Sequence, residues 1–112
     1  MAFLDKYPVS RGHTLVVPKE HYETIFETPD RILYELIRIA KKIATAQMKI
    51  LHADGVRILQ NNGKAARQEI PHLHFHVIPF YRGVELRHPR RKIDKGEGEE
   101  VAELLRIGLE HG

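Results

Sequence analysis

The apolar positions of this chain change their period along its length, and the changes predict its elements. Phe3-Leu4-Asp5 reads as the end of a strand, closed by Pro8. His13 to Val17 is short, apolar and β-branched, and Pro18 stops it, so a strand is expected there. His21 to Phe26 suits a short helical turn. Thr28-Pro29-Asp30 then starts a helix, with Thr28 as N-cap, Pro29 at the first helical position and an acid in the first turn. Leu33, Leu36, Ile37, Ala40, Ala44, Met48 and Leu51 recur at helical spacing and form its expected buried stripe, which Ile32, Ile39 and Ile43 widen. Arg38, Lys41, Lys42 and Lys49 belong to its wet side. Ala53-Asp54-Gly55 ends it, with Gly55 suited to a left-handed turn.

Alternation returns at Val56 to Asn61, a second strand, and a loop opens at Asn62-Gly63. A third strand is expected over Ile70 to Pro79. The polar stretch after Tyr81 is rich in Arg, Lys and Gly and reads as irregular surface. A final helix is expected over Glu99 to Glu110, with Val101, Leu104, Leu105 and Ile107 on one side. From His13 the order is strand, helix, strand, strand, helix. That is an α+β pattern, with one long helix and a C-terminal helix.

Composition narrows the picture. A chain of 112 residues fits one domain, 1–112. It has no cysteine, so disulfides and thiolate metal sites are excluded. No apolar run approaches a membrane span, and Asp5 and Lys6 interrupt the only apolar start. A cytoplasmic protein without membrane partners is the expectation. The net charge of +3 suits an anionic ligand without demanding nucleic acid. Arg87, Arg90, Arg91 and Lys92 read as a solvated loop, because aromatic stacking partners are scarce nearby.

The candidate chemistry lies in "IPHLHFHVIP". On a strand, successive side chains point to opposite faces. His72, His74 and His76 therefore share one face, and Leu73, Phe75 and Val77 share the other, toward the long helix. Residues two apart on a strand are roughly 6.5–7 Å apart. A row so spaced could meet a phosphorus, its oxygens and a leaving group together. Two adjacent imidazoles could instead share a zinc ion with ligands from elsewhere, or the three could simply line a wet surface. The spacing favours phosphate over metal.

With "FLDKYPVSRGHTLVVPKEH" upstream, "NNGKAARQEIPHLHFHVIP" resembles the histidine triad family, over roughly residues 2–80. The resemblance implies a homodimer whose subunits share a continuous antiparallel sheet. It implies hydrolysis or transfer at the α-phosphate of a purine nucleotide conjugate, such as a nucleoside phosphoramidate or a dinucleoside polyphosphate, without metal or other cofactor. A nucleotide-binding protein with little or no activity is the alternative. His74 corresponds to the nucleophile, which forms a nucleotidyl-histidine intermediate. His72 and His76 would orient it, bind phosphate oxygens and assist the leaving group. His13 matches the fourth histidine of the site. Asn61 and Gln68 match residues of the phosphate region, and Phe3, Leu4 and Asp5 match the segment that holds base and ribose.

The chain departs from the family in three places. The family usually begins upstream of "FLD" with a strand pair, a short helix and at times the CxxC of a structural zinc; here Met1 stands almost directly before that motif, as in a naturally short chain, a fragment or a misassigned start. Arg67 stands where glycine is common, placed to add a phosphate contact. Glu69 stands where a small hydroxyl residue often contacts phosphate.

Overall fold

The computed structural model of the protein describes residues 1–111. Strands β1 (Ala2–Leu4) and β2 (Thr14–Val16) precede the long helix α1 (Asp30–Lys49). Strands β3 (Gly55–Leu59) and β4 (Phe75–Phe80) follow, then helix α2 (Lys95–His111). The four strands form one antiparallel sheet in the order β1-β2-β4-β3. No helix among the described residues is long and apolar enough to cross a membrane.

The register fixes which residues face the helices. Val77 lies opposite Thr14 on β2 and Ile58 on β3, and Phe75 lies opposite Val16. Val16, Leu73, Phe75 and Val77 form the main core with Leu36, Ala40 and Ile43 of α1. His76 lies opposite Leu15 and Leu59, on the other face. A slip of one residue would put His76 into the core and Val77 into water. A second cluster joins α1 to α2 through Ala46, Leu51, Val101 and Leu105, with Leu4 packed against it.

Several boundaries differ from the sequence expectation. The N-cap of α1 is Pro29, and it makes no side-chain cap bond. The Thr28 hydroxyl instead donates to the Thr24 carbonyl at 2.7 Å. Thr24 and Glu27 form a capping box one turn earlier, on a 3-10 turn over Ile25–Glu27. The left-handed residue after α1 is His52, at φ 59°. Gly55 already belongs to β3, which stops at Leu59 rather than Asn61. Within α1, Ile37 is 49 % and Met48 45 % exposed. Ala46 and Gln47 are buried in their place: Ala46 packs against α2, and Gln47 reaches under the sheet to Gly12 and Val77. Helix α2 begins four residues before the expected start. Asp94 caps it, its carboxylate accepting from the Glu97 amide at 3.2 Å, while Gly96 and Gly98 weaken the helical signal there.

Two residues hold the segment before β2 in place. Gly12 has φ 94°, and a Cβ there would meet Leu51 Cδ1 at 2.5 Å, so only glycine fits. Gln47, fully buried, donates through Nε2 to the carbonyls of Gly12 and Val77, both at 3.0 Å. It thereby ties the residue before His13 to the residue after His76 from the core side. Replacing Gln47 by Leu takes a hydrogen bond from each of these buried carbonyls, that of Gly12 keeping the Thr14 hydroxyl at 2.8 Å. We expect a loss of about 2 kcal/mol in stability, measured by urea denaturation. An unchanged midpoint would contradict the bracing role.

Candidate functional site

The histidine segment is not one straight strand. Pairing begins at Phe75, so His72 and His74 precede β4 and only His76 lies on it. The backbone bonds of the preceding residues go elsewhere. The His72 amide donates to the Ile70 carbonyl at 2.8 Å, and the Leu73 amide to the Tyr22 carbonyl at 2.7 Å. The face alternation nevertheless survives. Leu73, Phe75 and Val77 are buried, whereas His72, His74 and His76 are half-buried.

Each ring is oriented by a different partner. His74 Nδ1 lies 2.8 Å from the His72 carbonyl oxygen. A carbonyl only accepts, so Nδ1 carries the proton and Nε2 presents a lone pair. The His72 ring turns away to His21, with the two Nδ1 atoms 3.1 Å apart. His72 therefore orients His74 through its backbone, not its imidazole. The His74 and His76 rings meet edge to face, with centroids 4.9 Å apart.

His13, only 1 % exposed, lies behind His76. Its Nδ1 accepts from the Val9 amide at 3.2 Å, so its proton sits on Nε2, which lies 2.9 Å from His76 Nδ1. His76 accepts there and keeps its own proton on Nε2. Burial pushes the pKa of His13 down to about 4; Asp5 opposes the shift, and His76 and Arg90 add to it. Burial, followed by the neighbouring His74, likewise lowers His76 to about 4. Both rings are neutral at pH 7.

The sheet register also places Asp5. Leu4 pairs with Thr14, so the next rung sets Asp5 against His13, and the Asp5 amide donates to the His13 carbonyl at 2.9 Å. Asp5 is buried rather than open to a ribose. Its Oδ1 accepts from the Tyr7 amide at 2.8 Å. Its Oδ2 accepts from Arg90 Nη2 at 2.9 Å and lies 3.5 Å from His13 Nε2. Asp5 Oδ2, His13 Nε2 and His76 Nδ1 lie within 4.8 Å of one another, a spacing that a cation could use. Each of these atoms already has a protein partner, and the Arg90 guanidinium supplies the positive charge beside the carboxylate.

The remaining residues divide. Phe3 lies opposite Leu15 on the His76 face and is about half exposed, as a base-stacking position requires. Leu4 turns the other way and packs into the core with α2, so it offers no surface on that face. Gln68 is buried, and its amide is committed to its own loop. Oε1 accepts from the Gly63 amide at 2.7 Å, and Nε2 donates to the Glu23 and Ile70 carbonyls at 2.6 and 3.1 Å. It braces the loop between Gly63 and Ile70, with both Nε2 hydrogens on carbonyls. Among the described residues no hydrogen bond engages the Asn61 side chain, whereas Asn62 is tied to Ile25 and Gln60. Arg67 is exposed at φ 69°, the left-handed region, where glycine is the natural occupant. Glu69 is exposed. Sequence reasoning missed His21, Gln47 and the Val9 amide. It left Arg90 as loop, since Arg90 reaches Asp5 across 85 positions with no local pattern.

The order of the strands, the pair of helices and the clustered imidazoles define a histidine triad fold. The HIT domain family model matches residues 1–83, and the chain belongs to that family. It is 49 % identical to an uncharacterized HIT-like protein of Saccharolobus solfataricus, over 72 % of this chain and 58 % of the relative. It is 47 % identical to an adenosine 5'-monophosphoramidase of Saccharomyces cerevisiae, over 70 % of this chain and 47 % of that enzyme. The chain thus spans about half the length of these curated relatives. Among solved structures, a hypothetical histidine triad nucleotide-binding protein of Sulfolobus tokodaii superposes with a TM-score of 0.90. The two are 39 % identical, over 98 % of this chain and 77 % of that one.

The two depressed imidazoles make stability depend on pH. The unfolded chain protonates them near the ordinary 6.5, the folded protein only near 4. The unfolded state therefore binds more protons between these values, and stability falls as pH drops through that window. We expect the melting temperature to decline from pH 6.5 to 4, and His13→Gln to flatten the decline. A curve of the same slope in that variant would contradict the assignment.

Proposed function

We propose that the protein is a nucleotidyl hydrolase or transferase that cleaves at the α-phosphate of a purine nucleoside phosphoramidate or dinucleoside polyphosphate. The observation that carries this reading is the His74–His72 contact, which puts the proton on Nδ1 and leaves Nε2 of a half-buried imidazole unprotonated. Such a nitrogen attacks phosphorus without first losing a proton. The bond from phosphorus to the leaving group breaks, a nucleotidyl-His74 intermediate forms, and water or another acceptor resolves it. His76, with its proton on Nε2, donates to a phosphate oxygen and stabilises the charge that develops there. His72 assists the leaving group, and His13 holds His76. Phe3 and Asn61 remain placed for base and phosphate contacts. That the yeast relative is an adenosine 5'-monophosphoramidase supports the substrate class.

Within this reading, residues 1–112 act as one domain in the cytoplasm, without metal or other cofactor, and two copies join through β3. That strand is a sheet edge, and its Ile58 is 45 % exposed.

His74→Ala should reduce AMP release from adenosine phosphoramidate by about 10³-fold or more while circular dichroism stays unchanged. Turnover equal to wild type would overturn the proposal. AMP binding by calorimetry, with no turnover of any candidate substrate by the wild type, would favour a binding protein instead. Ile58→Glu should shift sedimentation from dimer to monomer at micromolar concentration; a wild type that sediments only as monomer would refute the dimer.

A further inference from the structure

Arg90 lies beyond residues 1–83, the part that matches the family model. The segment around it is strapped onto the loop between β1 and β2. The Arg87 amide donates to the Val9 carbonyl at 2.8 Å, and the Ile93 amide to the Lys6 carbonyl at 2.6 Å. Arg87 is anchored on Glu97 of α2 at 2.5 Å, and Arg11 of the loop reaches Glu100 at 3.0 Å. From this strap Arg90 donates through Nε to the Tyr7 carbonyl and through Nη2 to Asp5 Oδ2. The loop so held carries Asp5 and Val9, two of the groups that surround the His13 ring.

His13 has one proton and two acceptors within reach. The Val9 amide occupies Nδ1, so the proton is on Nε2. Nε2 faces His76 Nδ1 at 2.9 Å and Asp5 Oδ2 at 3.5 Å. An uncompensated carboxylate attracts an N–H more strongly than a neutral imidazole does. Arg90 and the Tyr7 amide each engage one carboxylate oxygen, which weakens Asp5 as a competitor with His76 for the His13 proton.

We propose that Arg90 is a positioning residue of the histidine site: by holding Asp5 it commits the His13 Nε2 proton to His76, and so fixes His76 with its own proton on Nε2, toward the substrate phosphate. The substrate part rests on the function proposed above; the proton arrangement does not. The groups around His76 are His74 on its own segment, His13 and Asp5 from the β1–β2 side, Arg90 from the strap and Glu69 from the loop before β4. Asp5 and Glu69 favour the protonated ring, and His74 and Arg90 oppose it. Without Arg90, Asp5 would draw a proton into the His13–His76 pair.

Nitrogen-15 NMR of histidine-labelled protein tests this without turnover. In the wild type at pH 7, His76 should show a protonated Nε2 and a bare Nδ1, the reverse of His74. The opposite His76 tautomer would overturn the proposal, whether or not any variant folds. In Arg90→Met the His76 titration midpoint should rise by about one unit. It should return to the wild-type value in the Asp5→Asn/Arg90→Met double variant, where neither charge remains. Arg90→Lys should stay near wild type. A folded Arg90→Met protein with an unmoved midpoint would also refute it. Because His74→Ala leaves these partners in place, failure of the proposed reaction and failure of this arrangement are separate results.

Discussion

The pairing of β2 with β4 is the constraint from which the site follows. With Leu15 opposite His76 and Thr14 opposite Val77, one face of the sheet becomes core and the other becomes chemistry. The same ladder, continued through β1, sets Asp5 against His13 and lays His13 diagonally across from His76. No separate scaffold is needed for these three side chains. Gln47 adds a tie from beneath, joining the residue before His13 to the residue after His76.

The electrostatics follow from the same placement. Burial disfavours the charged form of an imidazole, and two imidazoles close together disfavour it further. The pair therefore stays neutral, and neutrality leaves hydrogen bonds to decide which nitrogen carries each proton. A backbone carbonyl decides it for His74, and a backbone amide, relayed through His13, decides it for His76. Neighbouring rings of the same residue type thus present opposite functions, one a lone pair and the other an N–H.

Much of this was legible in the sequence. The alternation in "IPHLHFHVIP" separates the core face from the imidazole face, and the α+β order with its antiparallel sheet is the one observed. Ile37 and Met48 were misplaced because a periodic stripe does not reveal that α2 lies against the flank at Ala46. Gly55 was preferred over His52 for the left-handed turn because glycine has the intrinsic preference, which the chain overrides one turn earlier. The positions of Asp5 and Gln68 could be located, but their commitments could not. Whether a carboxylate is open or already paired depends on residues far away in sequence, and Arg90 looked like one more solvated cation.

The strap has a consequence for the order in which the protein is made. Asp5 and Arg90 are 85 positions apart, so the ribosome adds the counter-charge after every strand of the sheet has been synthesised. The pairing of β1 with β2 sets Asp5 beside His13, and the guanidinium reaches that carboxylate from outside the sheet. The counter-charge of the site is thus encoded downstream of the whole sheet, so a change in the strap alters the partner of Asp5 without removing any strand.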